Sequence, residues 1–383
     1  MTGVDMMSNE VSGLSTPGSG GNSAGQLHDL AAVTMDNIRI VGNKTYGGTI
    51  TLPATQNGGY GVFTINGPPL TYPHSFVGSR FLVKDNFVTE NEAGVSLRPN
   101  GAGRNYSLSD SSFVGNRAKG ITALFLNATG NYTVSNSTFS GNVASNGAAV
   151  FVNSHSDSGT NAVVLKGVTI ARNGPNGNAL NMGAFAPTGG TATSNATVTV
   201  SNAILGQFSF GNGFQPVGAP TLSNVAYAFS NSVVENGTGM PAGACGSNGV
   251  VCNVDAKLEG LADNGGTVLT YTHALRPGSP ALDAGGNTGA SAFDQRGSGF
   301  ARIINSTVDI GAFESPPLAA VVACKLDMDG DNLVSATREG LVLIRAMLGF
   351  GAAAAVSGTG ITQSQWDATR NNLNANCGTS FSP

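Results

Sequence analysis

At 383 residues with 40% hydrophobic side chains, the chain has length for two or three domains and enough apolar residues for a large core. Only 10% of residues are charged and 55 are glycine, a balance that disfavours long surface helices and favours many tight corners between short strands. The formal net charge of −4, with no basic cluster and no long apolar run, excludes nucleic acid and an anionic membrane as expected partners and predicts no membrane span.

Residues 1–32 open with MTGVDMMSNEVSG, which lacks the basic region and apolar run of a signal peptide. This stretch reads as a flexible or truncated segment ahead of the first repeat. From residue 33 to 253 one pattern recurs. YTVSNSTFSGN, ending at Asn142, aligns with VTMDNIRIVGN ending at Asn43, FLVKDNFVTEN at Asn91, YSLSDSSFVGN at Asn116 and VVLKGVTIARN at Asn173. The interval from Asn43 to Asn91 leaves room for two units, one of them eroded.

Within each copy apolar and small polar residues alternate, as in a half-buried strand, and pairs such as Asn136-Ser137 and Asp110-Ser111 carry turn chemistry. A short β-rich unit repeated in this way predicts an all-β solenoid of parallel rungs, because one unit buries its apolar face only when neighbours stack on it. Stacking places Asn91, Asn116, Asn142 and Asn173 above one another, where their amides can bond along the coil.

FVGN at 113–116 and FSGN at 139–142, with the Gly/Ala-rich GAAV strand after the latter, resemble the FxxN and GGA repeats of polymorphic bacterial outer-membrane proteins. The resemblance implies a right-handed parallel β-helix. Such coils host adhesins and spacers as well as polysaccharide lyases and hydrolases, and the enzymes need a tight acidic or acid-plus-basic constellation. Asp85 and Asp110 are the candidates for it, read as equivalent positions one rung apart. The competing reading places both in solvated corners. The four histidines, at 28, 74, 155 and 273, are scattered in loops without ligand spacing.

Residues 254–315 change texture. Asp263 to Gly266, Pro277 to Gly285, Asp294 to Gly297 and Asp309 to Glu314 resemble, in order, the motifs of the choice-of-anchor Q domain that closes surface-associated bacterial β-helix proteins. That resemblance implies export or surface retention. The charges of Asp283, Asp294, Arg296, Asp309 and Glu314 read as a polar lock over the last rung's open strand edge.

The last segment, 324–383, contains LDMDGDNLVSATREG. Asp327, Asp329 and Asp331 fall at positions 1, 3 and 5 of an EF-hand-like loop, Leu333 offers a carbonyl at 7, and three carboxylates so close call for a hard cation. A helix follows with Leu341, Ile344 and Leu348 at helical spacing and Val342 and Met347 beside them. A second starts at the Thr362-x-x-Gln365 capping box and presents Trp366 and Leu373. The segment resembles a dockerin-type calcium module, which implies a calcium cofactor and a cohesin-like protein partner. It departs from that pattern at Asn332, at Arg338 in position 12 with the acid one later at Glu339, and in having one Asp-rich loop.

Two local disulfides, with Cys324 to Cys377 bracketing the module, are the natural pairing of the four cysteines and imply an oxidising compartment. The expected function is an exported surface protein contacting polysaccharide or host glycan without catalysis. The alternative is a carbohydrate-active lyase or hydrolase on the same coil.

Overall fold

The computed structural model describes residues 2–7, 10–13, 25–28, 32–47, 63–66, 75–88, 94–98, 104–118, 123–127, 130–144, 150–155, 160–174, 180–185, 194–210, 223–266, 270–316, 326–331, 334–376 and 379–381. The chain divides into two units, Met1–Ser315 and Pro316–Pro383.

The first unit is mostly β with a large parallel sheet, strands from successive repeats lying side by side as in a parallel β solenoid. The strand Asn131–Ser140 pairs in parallel with Asn105–Ser109 and Ser112–Val114 on one side and with Thr160–Ala171 on the other. Tyr106 is thereby level with Tyr132 and Val163, and Phe113 with Phe139 and Ile170. Each turn adds to two further stacks: Arg117–Ala118 pairs with Val143–Ala144, and Leu124–Asn127 with Val150–His155.

The alternation in sequence explains the interior. Tyr132 and Val134 are buried while Thr133 between them is exposed. The Phe113 and Phe139 rings stack at 4.8 Å between centroids, adding aromatic contact to apolar burial.

Two columns of corners turn the strands. Asn37, Arg80, Asp110, Asn136, Asn202 and Asn231 form one, each with positive φ. Ser111 and Ser137 follow two of these corners: Ser137 Oγ accepts the Ser111 N–H, and Ser111 Oγ accepts that of Phe81. Gly42, Asp85, Gly115, Gly141 and Arg172 form the other column, one residue before the stacked asparagines and again all at positive φ.

Three expectations about the coil are corrected. Its strands begin before residue 33: Thr2–Met7 pairs with Ala32–Val41, Val4 level with Ile38, and Gly25–His28 pairs with Phe63–Asn66. The corner of that turn, level with Asn37-Ile38, is Gly3-Val4, without the Asn-Ser or Asp-Ser pair by which the later copies are recognised. Between Asn43 and the next full copy there is one enlarged turn in place of two, since Ser75–Lys84 pairs directly with Ala32–Val41 and Ile40 is level with Val83. The register therefore sets Asn86, not Asn91, in line with Asn43, and Asn91 itself lies outside the described residues.

The third correction concerns residues 254–315, whose described part lies along the flank of the coil across several turns. Tyr271 N–H donates to Ser112 Oγ at 2.8 Å, and Thr138 Oγ1 donates to Gln295 Oε1 at 2.6 Å. Further along, Ala312 N–H donates to Thr169 Oγ1 at 3.0 Å and Gly311 N–H to the Asn202 carbonyl at 2.9 Å. Beneath these bonds Ala256, Leu258, Ala281 and Ile310 pack on the outward-facing Ala171, Ile204 and Val233, a second apolar cluster outside the coil. The edge of the last turn is instead continued by Val250–Cys252, paired with Ser232–Asn236 and stapled by the Cys245–Cys252 disulfide. Cys324 and Cys377 lie outside the described residues.

Among the described residues the second unit contains three helices, α1 (Glu339–Met347), α2 (Ala352–Val356) and α3 (Gln363–Asn376). Met328, Val342, Ala355, Ile361 and Trp366 form its core, with Leu343 and Ala346 against it. The buried stripe of α1 is thus Val342, Leu343 and Ala346, while Ile344, Met347 and Leu348 face solvent. Helix α3 starts with a reciprocal cap: Thr362 N–H donates to Gln365 Oε1 at 2.8 Å and Gln365 N–H to Thr362 Oγ1 at 3.3 Å.

Candidate metal centre

The residues that carry chemistry separate into four groups. The first is the ladder of asparagines, which is fully engaged. Asn142 Oδ1 accepts both the main-chain N–H and the side-chain amide of Asn116, at 3.1 and 2.9 Å. Its own Nδ2 donates to Asn173 Oδ1 and to the Phe113 carbonyl, each at 2.9 Å. Asn86 and Asn116 repeat the same bonds one turn away, and all three are buried. Nothing in this ladder faces a ligand; it fixes the rungs.

The acids proposed for catalysis form the second group. Asp85 and Asp110 belong to different corner columns, so their equivalence does not hold: the register sets Asp85 level with Gly115, and Asp110 level with Arg80 and Asn136. Asp85 pairs with Lys84 and stays more than half exposed. Asp110 accepts from Ser109 Oγ at 2.7 Å and from Asn136 Nδ2 at 3.3 Å, and burial raises its pKa against those bonds. Asn136 Nδ2 also donates to Ser291 Oγ at 2.8 Å, so the flanking block reaches the corner next to Asp110.

The third group lies inside the flanking block. Arg296 makes a forked contact with Asp294, 3.0 and 2.6 Å to Oδ2, and its guanidinium lies between the Phe300 and Phe313 rings at 4.0 and 3.9 Å. Asp283, Asp309 and Glu314 each bring an oxygen within 4.8 Å of the others. Two of the three are already engaged by main-chain donors: Asp309 accepts from Asp283 and Ser315, and Glu314 from Asp309 and Ile304, while Asp283 accepts from the Asn305 side chain at 3.4 Å. Arg302 supplies the countercharge, 3.7 Å from Glu314. Burial nonetheless pushes Glu314 up to about 7 and raises Asp309.

His273, placed in a loop by sequence, is a buried anchor. Nδ1 lies 2.8 Å from the Glu259 carbonyl, which can only accept, so the proton sits on Nδ1 and Nε2 accepts from Ser140 Oγ at 2.8 Å. Both side chains are almost wholly buried, and burial lowers the His273 pKa. This Ser–His contact joins block to coil and offers no route to a substrate.

The fourth group is the loop before α1. Asp327, Asp329 and Glu339 each bring one oxygen within 4.8 Å of the others. Asp327 Oδ1 accepts the Gly330 N–H at 2.8 Å and Asp329 Oδ1 the Asp331 N–H at 3.3 Å, the main-chain bonds of a tight acidic turn. Glu339 opens α1 and is completely buried; Oε2 accepts the Ser335 N–H at 2.9 Å, while Oε1 has no hydrogen-bond partner. A buried carboxylate oxygen left without a partner costs on the order of 1–3 kcal/mol or more. A hard cation held by Asp327, Asp329 and Glu339 would give that buried carboxylate a countercharge, so the residues present fit calcium by ligand type.

Of the sequence-derived ligands the structure brings together Asp327, Asp329 and Glu339. Asp331 stands aside, 3.4 Å from Arg338, and Leu333 lies outside the described residues. Arg338 also pairs with Asp329. No family model, curated protein or solved structure matches the chain.

Proposed function

We propose that the chain is an exported surface protein: a right-handed β-helix that contacts polysaccharide or host glycan through its lateral strands, without catalysing chemistry. The C-terminal unit is a dockerin-like module whose Asp327, Asp329 and Glu339 hold calcium, and the 254–315 block is of the choice-of-anchor type. The observation that carries the non-catalytic reading is the placement of the acids. Asp85 and Asp110 stand in different corner columns, and the flank beside Asp110 is covered by the chain's own block.

The Cys245–Cys252 disulfide supports an oxidising, extracellular setting. The outward row Ile344, Met347, Leu348 and Phe350 supports a cohesin-like protein partner for the module, because monomers seldom leave so many large apolar side chains exposed together.

The test is incubation of the purified protein with pectin, alginate and related polyanions, with and without calcium, alongside retention on the same immobilised polysaccharides. Retention without release of reducing ends or unsaturated products is expected. Turnover abolished by Asp110→Asn would overturn the reading in favour of a lyase or hydrolase.

A further inference from the structure

The acidic loop before α1 carries its own cation. Arg338 sits where an EF-hand-like loop has its closing acid, and its guanidinium reaches back over the loop. One nitrogen pairs with Asp329 Oδ2, another lies 3.4 Å from Asp331 Oδ2, and Nε donates to the Thr359 carbonyl at 3.4 Å. Asp329 is one of the three carboxylates, with Asp327 and Glu339, that each bring an oxygen within 4.8 Å of the others, and Oε1 of the buried Glu339 has no hydrogen-bond partner. The same carboxylate therefore serves both the guanidinium and the place where a divalent ion would sit.

We propose that Arg338 is a resident counter-ion that sets the calcium affinity of this loop. In the metal-free state it neutralises Asp329 and Asp331 and keeps the loop folded over α1. Calcium entry requires the guanidinium to give up Asp329, which can then turn to the metal together with Asp327 and Glu339. Arg338 is still about two-fifths exposed, so its side chain can swing into solvent without leaving a cavity. Two properties follow. Calcium binds more weakly than three convergent carboxylates alone would bind it, and the loop keeps its shape when calcium is withdrawn.

This inference rests on the calcium reading, and one experiment separates the two. Calcium chloride is titrated calorimetrically into the full chain as wild type, Arg338→Gln, Arg345→Gln and Asp327→Ala/Asp329→Ala. Circular dichroism checks that each variant retains its secondary structure. Arg345 is the control cation: it lies in α1, the helix that Arg338 precedes, but donates to the Ala355 and Ser357 carbonyls, not to the acids.

Arg338→Gln is expected to bind about ten-fold tighter, about 1.4 kcal/mol, with unchanged stoichiometry. Arg345→Gln should stay within about two-fold, since its charge is not in contact with the loop acids. Binding by Arg338→Gln where wild type shows none supports the proposal equally. Wild-type binding that Arg338→Gln leaves unchanged or weakens overturns the role of Arg338 and leaves the calcium site standing. Equal tightening by Arg345→Gln also overturns it, by reducing the effect to net charge. Absence of binding in both wild type and Arg338→Gln removes the calcium reading and the proposal with it.

Discussion

Asn142 accepts two hydrogen bonds from Asn116 and makes two more to Asn173 and Phe113, all in the interior of the coil. Replacing it with alanine leaves two donors on Asn116 and one acceptor on Phe113 unmatched, in a place water does not reach. A loss of about 2–4 kcal/mol is expected, by the cost of unsatisfied buried groups. Asn142→Asp should lose a comparable amount because a carboxylate cannot donate to Asn173 or Phe113. Urea denaturation of both variants checks this; a loss under about 0.5 kcal/mol would mean that the ladder is incidental. The ladder was legible from sequence at Asn116 and Asn142, where Phe-x-Gly-Asn recurs, and at Asn173, where the repeat closes as Ile-Ala-Arg-Asn, but not at Asn86. There the preceding residue is Asp85 in place of glycine, at the same positive φ, and the nearby Asn91 was the more tempting match.

Along the flank, docking is made by small and polar side chains that look unremarkable in sequence. Gly311 illustrates the fit: its φ is +107°, and a Cβ there would come within 2.7 Å of the Ile204 side chain and 2.8 Å of Thr169 Oγ1. The motifs of residues 254–315 announced an ordered, charged block, but not its seat. The partners on the coil, Ser112, Thr138, Thr169 and Asn202, belong to faces that alternation marks only as outward. The C-terminal helices show a related limit, since α1 carries apolar residues on both sides and only the packing of α2 and Trp366 selects Val342, Leu343 and Ala346 as the inner face.

Within the block the decisive element is Arg296. A lysine there would keep the charge but lose the planar fork on Asp294 and the stacking between Phe300 and Phe313. Asp294 is completely buried, so Arg296→Lys should destabilise the block by about 3 kcal/mol, in the range for a buried pair that loses its partner. Hydrogen exchange should report it first at the main-chain amides of Arg296 and Glu314, which both donate to Asp294. Unchanged protection there would show that the block is held by the apolar cluster of Leu258, Ala281 and Ile310 alone.

For the first unit as a whole, two buried groups tie stability to pH with opposite signs. His273 has its pKa lowered by burial, so the unfolded chain takes up a proton first as pH falls below about 6.5. Its contribution is present above that value and is lost on acidification. Glu314 is raised by burial to about 7 from an ordinary value of 4.5, so the unfolded chain gives up its proton first. Its contribution is full below 4.5 and is lost as pH rises toward 7. Across the interval from about 4.5 to 6.5 the two slopes oppose each other. Asp309, Asp110 and Glu235, also raised by burial, add to the Glu314 side, so each variant must be compared with wild type. Glu314→Gln should make stability fall more steeply toward acid than in wild type, and His273→Gln should make it fall more steeply toward neutrality. Chemical denaturation of the three proteins between pH 4.5 and 7.5 reads both slopes. Parallel curves would mean that the Ser140–His273 and Arg302–Glu314 contacts persist in the unfolded ensemble or carry no linkage, which the depth of their burial argues against.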